Sequence, residues 1–308
     1  MISYAYLVVT LRQLRYFDAV ARLRHFGRAA EAVAISQPAL SMQIRELEEQ
    51  LGVQLIERGP RGISLTTEGR EVASRAEAIL ASVRDLTDYA RQRDAPLTGA
   101  LRLGVIPSIA PYLLPRALPV LRARYPELQL QLRETQTQYL LEELQRGDVD
   151  VLLLALPVEA PEIETMGLFD DRFLLAIPAD QPAGADGKVT PDMLAPDRLL
   201  LLEEGHCLRD QALSYCQMVG SDTLNTFGAT SLSTIMQLVA NGNGITLLPE
   251  MSANLEVRDD RVALLRFPEP EPSREIGLAW RRSAARKRDF RALGELLIEA
   301  MVDTDVQA

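Results

Sequence analysis

Residues 35–53 read ISQPALSMQIRELEEQLGV, and this stretch predicts a helix with one buried and one exposed face. Ser36 is a typical N-cap residue, because its hydroxyl can accept a hydrogen bond from a free N–H of the first turn. Pro38 also suits that turn, since the N–H that proline lacks would have no partner there. The apolar residues recur at helical spacing and form one buried stripe: Leu40, Ile44, Leu47 and Leu51.

Polar side chains lie off this stripe and can reach outward: Gln37, Ser41, Gln43 and Arg45. Two predicted helices precede them, one over residues 11–23 and a shorter one after Phe26. Three short helices with forked polar side chains at the start of the third are typical of a helix-turn-helix, whose recognition helix enters the major groove of DNA. The alternative is an ordinary helical subdomain with solvated charges, because glutamine and arginine are common surface residues.

The next segment, LIERGPRGISLTTEGR (55–70), has two short extended runs around a Gly-Pro turn. Arg58 and Arg61 lie near the tip of this turn. Their position suits a wing that contacts phosphate groups.

From residue 72 the apolar residues alternate at spacings of four and three: Val72, Ala76, Ile79, Val83, Leu86 and Ala90. This seam predicts a two-stranded coiled coil, and hence a dimerising linker helix over residues 71–94 that ends in a hinge near Asp94–Pro96. The alternative is a single amphipathic helix lying on a core, whose apolar stripe would follow a 3.6-residue period.

The net charge of −10 conceals an asymmetry along the chain. Residues 1–93 carry 13 arginines and 11 acidic residues, whereas the remaining 215 residues carry 20 basic and 32 acidic residues. A mildly basic head on an acidic body fits a small DNA-reading module joined to a larger domain with another task. No run of about 18 apolar residues is present, and MISYAYLVVT (1–10) is a poor signal peptide, so we expect a cytoplasmic protein without a membrane partner.

After the predicted hinge, strands and helices alternate, which predicts an α/β architecture with a parallel sheet and helices on both faces. The predicted strands are 101–106, 128–134, 149–156, 173–180, 198–203, 245–249 and 276–280. Two predicted helices end near residues 124 and 147, and two more cover 231–240 and 286–302. The strands form two α/β units, and we expect the last strand and helix to return to the first unit.

In such folds ligands bind beyond the carboxyl ends of strands, at helix N-termini. Ser108 follows the first predicted strand, Thr137 follows the second, and His206–Cys207 follow RLLLLE (198–203). Three strands therefore bring a hydroxyl, an imidazole and a thiol group toward one place. A pocket for a small anionic metabolite would look much the same apart from the thiol.

Cys207 and Cys216 are the only cysteines of the chain, in GHCLRDQALSYC (205–216). A thiol at a helix N-terminus gains thiolate character from the helix dipole and from nearby cations, and peroxide oxidises such a thiol to a sulfenic acid. The candidate cations are His206, Arg209 and Arg274. If the segment between the cysteines is helical, their Cα atoms lie about 13.5 Å apart. A disulfide tolerates roughly 7 Å, so a bridge would require this segment to unwind.

Other interpretations of the two cysteines stay open. Buried, inert cysteines are the usual case, although without an export signal a permanent structural bridge is not expected. A metal site built from His206, Cys207 and Cys216 would offer three ligands, whereas a closed zinc site takes four. A thiol peroxidase is chemically feasible, but it would not account for a DNA-binding dimer.

Residues 21–70 resemble the winged helix-turn-helix of LysR-type transcriptional regulators, most specifically in SQPALSMQIRELE (36–48). The residues that this resemblance brings to DNA, together with a wing arginine, are Ser36, Gln37, Pro38 and Ser41. Gly62 stands where relatives often carry a further basic residue. The α/β part resembles the effector domain of the same family, which is similar to periplasmic binding proteins, and NGNGITLLP (241–249) looks like its turn-strand signature.

GHCLRDQALSYC closely matches the redox segment of the hydrogen-peroxide-sensing branch of this family, and the similarity extends from about Leu11 to Met301. The resemblance implies that Cys207 is the peroxidatic thiol and Cys216 its disulfide partner. It places further residues where relatives hold peroxide or activate the thiol: Ser108, Thr137, His206, Asp210 and Arg274. Most relatives carry threonine at the position of Ser108, so this pocket lacks one methyl group.

The resemblance implies a redox-controlled transcription regulator, and not an enzyme, that activates antioxidant genes without a cofactor or metal. The expected domains are the winged helix-turn-helix at 11–70, the linker helix at 71–94 and the effector domain at 98–308, divided into subdomain I (about 98–164 and 270–308) and subdomain II (about 165–269). The expected partners are double-stranded DNA, RNA polymerase, further copies of the chain in a tetramer, and a disulfide reductase such as glutaredoxin. A regulator driven by a metabolite, or a thiol peroxidase, remains the alternative.

Overall fold

The computed structural model describes residues 9–59, 62–91, 96–158, 160, 162–181, 188–190, 193–194, 199–218, 228–258 and 260–302. It falls into two compact units, the first made mainly by residues up to Arg91 and the second by most of the remaining chain. Arg61, Asp94 and most of the segment ahead of the first helix lie outside the described residues. The side chains of Arg58 and Cys216 lie outside them as well.

The first unit begins with three helices and a hairpin, as the sequence predicts. Its elements are α1 (Leu11–Leu23), α2 (Phe26–Ala32), α3 (Gln37–Leu51), β1 (Ile56–Gly59), β2 (Gly62–Leu65) and α4 (Thr67–Arg91). The Ser36 hydroxyl accepts the Ala39 N–H at 3.4 Å, which confirms the predicted N-cap. Gly52 ends α3 in the left-handed conformation with φ of 70°. The stripe of α3 is buried at Leu40, Ile44 and Leu47.

Helix α4 contains most of the predicted linker and begins at Thr67, ahead of the predicted start at residue 71. The Thr66 hydroxyl accepts the Gly69 N–H at 2.8 Å and so caps the first turn. Farther along, the side chains of Ile79 and Leu86 are 45% and 67% exposed. These two seam residues therefore remain on an open face of the helix, and dimerisation through them stays a prediction.

The second unit opens with the predicted βαβ pattern. Its first elements are β3 (Gly99–Val105), α5 (Ala110–Arg124), β4 (Leu128–Glu134), α6 (Thr137–Arg146) and β5 (Val151–Leu156). Strand β3 pairs in parallel with both β4 and β5. The carboxyl ends of these strands therefore lie at the same edge of the sheet, where Ser108 and Thr137 follow.

The rest of the second unit alternates short strands and helices. The elements are β6 (Ile163–Pro178), β7 (Leu201–Leu202), α7 (Cys207–Met218), β8 (Gly228–Ala229), α8 (Leu232–Ala240), β9 (Thr246–Pro249), α9 (Glu250–Glu256), β10 (Val262–Arg266), β11 (Ser273–Arg281) and α10 (Lys287–Val302). Strands β7 and β8 form a small parallel pair. The return of the chain to the first part of the sheet is confirmed, because β11 pairs with β5.

The main sheet is mixed, so the prediction of a parallel sheet is wrong for its later strands. The strand order is β10-β6-β11-β5-β3-β4, with β9 also paired to β6. Strand β11 runs antiparallel to both of its neighbours, β5 and β6. The long strand β6 links the two parts of the sheet, since its beginning pairs with β11 and its end with β9 and β10. The boundary predicted between residues 164 and 165 falls inside β6.

No helix within the described ranges has the length and apolar character needed to cross a membrane. The observed class is the predicted one, a helical winged head followed by α/β elements around a curled sheet. What this fold provides is a set of strand ends and helix N-termini around Cys207.

Candidate functional site

The start of α3 presents polar side chains to solvent. Ser36, Gln37 and Pro38 are exposed, and so is Arg45 two turns farther along the helix. Ser41 is half-buried. An exposed helix N-terminus with forked polar side chains is what a major-groove reading helix requires.

Two other side chains of α3 differ from the sequence expectation. Gln43 donates from Nε2 to Glu46 Oε2 at 2.6 Å and is half-buried, so its amide is engaged within the helix. Met42, which the sequence reasoning passed over, is 55% exposed on the face opposite the stripe. Met42 is two positions away from both Leu40 and Ile44, so helical periodicity predicts that it lies on the exposed face.

A cavity of about 550 Å³ in the second unit brings together four of the predicted site residues. They are Thr137, Cys207, Asp210 and Arg274. Thr137 is the first residue of α6, Cys207 is the first residue of α7, and Arg274 lies at the start of β11. The cavity is therefore formed where two helix N-termini meet the end of the sheet. Ser108 and His206 do not line it.

Ser108 lies in the loop between β3 and α5, and it is buried. Arg274 holds it twice, because Nη1 donates to Ser108 Oγ at 2.9 Å and Nη2 donates to the Ser108 carbonyl at 3.0 Å. The hydroxyl oxygen is thus positioned by the guanidinium group. This contact does not depend on the methyl group that threonine would add.

Arg274 is paired with Asp171, a residue that the sequence analysis missed. Arg274 Nε donates to Asp171 Oδ2 at 2.9 Å, and the exposed fractions of the two side chains are 0% and 2%. Asp171 Oδ1 accepts the Met251 N–H at 3.0 Å. Burial raises the pKa of the Asp171 carboxyl, although Arg274 and the Met251 N–H oppose this shift. An acidic residue beside the apolar run FLLAIP (173–178) is the signal that would have indicated a buried partner.

His206, which the sequence predicts as a cation beside Cys207, directly precedes α7. The residue is buried, and burial lowers the pKa of its imidazole, with the Glu203 carboxylate offsetting only part of the shift. This shift favours the neutral form of the ring. Arg209 donates from Nη1 to the Leu202 carbonyl at 3.0 Å, so it ties the first turn of α7 to β7.

Two polar atoms of cavity residues are buried with no hydrogen-bond partner among the described residues. They are Thr137 Oγ1 and Gln211 Oε1. A buried polar atom without a partner is costly, and a small polar ligand in the cavity would relieve that cost. Gln211 lies one helical turn after Cys207, and this spacing is the sequence signal that places the two side chains on one face of α7.

Both cysteines belong to the same helix. Cys207 begins α7 as a half-buried free thiol, and Cys216 lies near its end. The prediction that the intervening segment is helical is confirmed. At about 1.5 Å of rise per residue the two Cα atoms are about 13.5 Å apart, beyond the reach of a disulfide while the helix is intact.

Comparison with known proteins accounts for both units. Residues 11–70 match the bacterial regulatory helix-turn-helix proteins of the lysR family, and residues 94–302 match the LysR substrate binding domain. A Streptomyces viridosporus protein described as a probable hydrogen peroxide-inducible genes activator is 46% identical over 300 residues, which is 97% of this chain and 96% of that protein.

Solved structures are similar along the same length. A full-length OxyR from Pseudomonas aeruginosa with cysteine replaced by aspartate has a TM-score of 0.76 at 34% identity, over 94% of each chain. A cysteine-to-serine variant of Corynebacterium glutamicum OxyR with hydrogen peroxide bound has a TM-score of 0.65 at 37% identity. That match covers 96% of this chain and 94% of the other.

Proposed function

The chain belongs to the LysR family of bacterial transcriptional regulators, and from this membership we propose that it is a peroxide sensor of the OxyR type that works through Cys207 and Cys216. The observation that carries the proposal is the position of Cys207, at the N-terminus of α7 and on a cavity with two buried polar atoms that lack a hydrogen-bond partner among the described residues. Peroxide bound in the cavity would accept or donate hydrogen bonds at Thr137 and Gln211.

The chemistry has two steps. The Cys207 thiolate attacks one oxygen of hydrogen peroxide, the O–O bond breaks, and the products are a sulfenic acid and hydroxide, which takes up a proton to become water. The Cys216 thiol then attacks the sulfenic sulfur, releases water and forms the disulfide. The two thiols lose two electrons in total when they become a disulfide, and peroxide has accepted these electrons in the first step, so no further oxidant is needed.

The second step requires α7 to open, because the helix holds the cysteines too far apart. Oxidation is therefore coupled to refolding of residues 207–216. A change in this segment would alter the packing of the effector domain and, through the linker helix, the spacing of paired DNA-binding heads in a tetramer. A disulfide reductase such as glutaredoxin would restore the helix, and RNA polymerase would respond to the altered regulator on double-stranded DNA.

Ser214 offers a test of this coupling, because it is exposed in the middle of α7 and its hydroxyl donates to the Asp210 carbonyl at 2.8 Å. Glycine is less favourable than alanine inside a helix by about 1 kcal/mol. We expect disulfide formation to be about fivefold faster in Ser214→Gly than in Ser214→Ala, since helix opening precedes it. Quenched-flow alkylation with mass spectrometry would measure this step, and equal rates in the two variants would contradict coupling to helix opening.

Gln37 offers a test of DNA reading. It is exposed at the first position of α3, whereas the amide of Gln43 is bonded to Glu46. A good bidentate contact to a base contributes about 1–3 kcal/mol, so Gln37→Ala should weaken specific binding about tenfold. Gln43→Ala is the matched variant and should lower affinity by less than about threefold. Fluorescence anisotropy on a duplex selected by the wild-type protein would measure both, and an equal loss would show that this assignment is wrong.

The experiment that tests the function as a whole is tryptic mass mapping of alkylated protein before and after a stoichiometric amount of peroxide. The expected result is conversion of two free thiols into one bridge between Cys207 and Cys216, reversed by a dithiol, with a DNA footprint that changes in parallel. If Cys207 stays reduced, the protein is a regulator that responds to another effector. If peroxide is consumed catalytically without any effect on DNA binding, it is a peroxidase.

A further inference from the structure

We propose that Asp171 is a positioning residue for the reaction of Cys207 with peroxide, acting through the orientation of Arg274. This inference rests on the proposed function, because it concerns the step in which peroxide is reduced. Asp171 does not line the cavity, and no step of the mechanism above uses it. Its two carboxylate oxygens nevertheless serve two different elements.

The first contact fixes the guanidinium group. Asp171 Oδ2 accepts from Arg274 Nε at 2.9 Å and lies at the same distance from Nη2. The guanidinium group of an arginine is rigid and planar, so a contact along one edge sets the directions of all its N–H groups. The adjacent edge, formed by Nη1 and Nη2, holds Ser108 by its hydroxyl and its carbonyl.

The second contact fixes the carboxylate itself. Asp171 Oδ1 accepts the N–H of Met251 in the first turn of α9, where Pro249 at the N-cap supplies no side-chain hydrogen bond. Asp171 therefore replaces the missing cap of α9. Both oxygens are thus engaged, and the carboxylate cannot rotate without losing one contact.

Burial makes the guanidinium group depend on this carboxylate. The Arg274 side chain has no exposed surface, and a buried cation without a counter-charge is strongly unfavourable, so it would shift toward water if Asp171 lost its charge. The shift would move the N–H groups that hold Ser108 and would change the wall of the cavity that Cys207 also lines. Asp171 thus acts on the reaction although it touches neither the thiol nor the cavity.

The test compares Asp171→Asn, Arg274→Gln and the double variant in full-length protein that also carries Cys216→Ser, so that only the first oxidation step is observed. The second-order rates of Cys207 with hydrogen peroxide and with iodoacetamide are measured at one neutral pH. Iodoacetamide needs an accessible thiolate, whereas peroxide also needs an oriented O–O bond and a proton for the leaving oxygen. We expect Asp171→Asn to slow the peroxide reaction about tenfold or more and the iodoacetamide reaction less than about twofold. The double variant should react with hydrogen peroxide no more slowly than Arg274→Gln alone.

Two results overturn the inference. The first is a parallel change of the peroxide and iodoacetamide rates in Asp171→Asn. The second is a peroxide rate in the double variant that is lowered by the product of the effects of Asp171→Asn and Arg274→Gln. If Asp171→Asn does not fold, Arg274→Lys supplies the comparison, because lysine keeps the buried charge pair but not the fork. The same selective loss of the peroxide rate is then expected, and an unchanged ratio of the two rates refutes the inference. A wild-type Cys207 that reacts with peroxide no faster than an ordinary thiol would reject the proposed function, and the inference would fall with it.

Discussion

Replacement of Cys207 with serine is expected to abolish the reaction with peroxide and every later event. A serine hydroxyl is not ionised at neutral pH, so it cannot attack the O–O bond as a thiolate does. Loss of a nucleophile lowers the rate by on the order of a thousandfold or more. The variant should bind DNA as the reduced protein does, with or without peroxide. Mass spectrometry of the modified thiols and a DNA footprint before and after peroxide would measure the two parts of this expectation.

Cys216→Ser is the matched control, since it removes the other thiol of the same helix. In this variant Cys207 should still become a sulfenic acid, which a dimedone adduct would reveal, but no disulfide can follow. A footprint that still responds to peroxide in Cys216→Ser would mean that oxidation of Cys207 alone carries the signal. A response that survives in Cys207→Ser would refute the role of this cysteine altogether.

The second large effect concerns stability. Arg274→Met is expected to destabilise the second unit by about 3–5 kcal/mol, because it leaves the Asp171 carboxylate buried without its counter-charge. Asp171 is 2% exposed, so water cannot replace the lost partner without a rearrangement. Urea unfolding followed by circular dichroism would measure the change in midpoint. Asp171→Asn combined with Arg274→Met should recover much of the loss, because removing both members of a buried pair is often close to neutral.

Arg124→Met is the matched control for this substitution. Arg124 pairs with Glu299 at 2.8 Å, but the two side chains are about half exposed, at 49% and 53%. An exposed pair contributes about 1 kcal/mol or less. Equal destabilisation by Arg124→Met and Arg274→Met would show that the buried pair has no special role.

The loss in Arg274→Met should also depend on pH. Burial raises the pKa of Asp171 in the folded protein, and removal of the cation raises it further. A carboxyl whose pKa is higher in the folded state binds its proton more tightly there, so protonation favours folding. The difference in stability between Arg274→Met and Arg124→Met should therefore be largest at neutral pH and shrink as the pH falls toward the usual range of aspartate.

Local patterns predicted the head of the molecule well. The N-cap at Ser36, the proline in the first turn and the apolar stripe of α3 all depend on residues within one short segment. Capping and periodicity therefore suffice to place them. The same holds for β3, α5 and β4, where apolar runs and short connections define parallel pairing. The helix that separates the two thiols of α7 also follows from local sequence, since no residue between them breaks a helix.

Long-range features could not be read in the same way. The first ten residues of β6, 163–172, are mostly only partly buried or exposed and carry several charges, so they lack the apolar pattern of a strand. The antiparallel direction of β11 depends on which end of the sheet the chain re-enters, and periodicity does not encode this. The contact between Arg274 and Asp171 joins residues 103 positions apart, and the lowered pKa of His206 follows from burial that only the fold supplies.

The single helix that carries both thiols has a consequence in time. On the proposed mechanism, a sulfenic acid on Cys207 would persist until α7 opens, and during this interval two small thiols would be able to return it to the reduced state without any change in the fold. A short pulse of peroxide would then leave no disulfide. A sustained exposure would re-oxidise Cys207 until an opening of α7 coincides with the oxidised state. In signalling terms α7 would act as a low-pass filter on peroxide, and the stability of one helix would set its time constant.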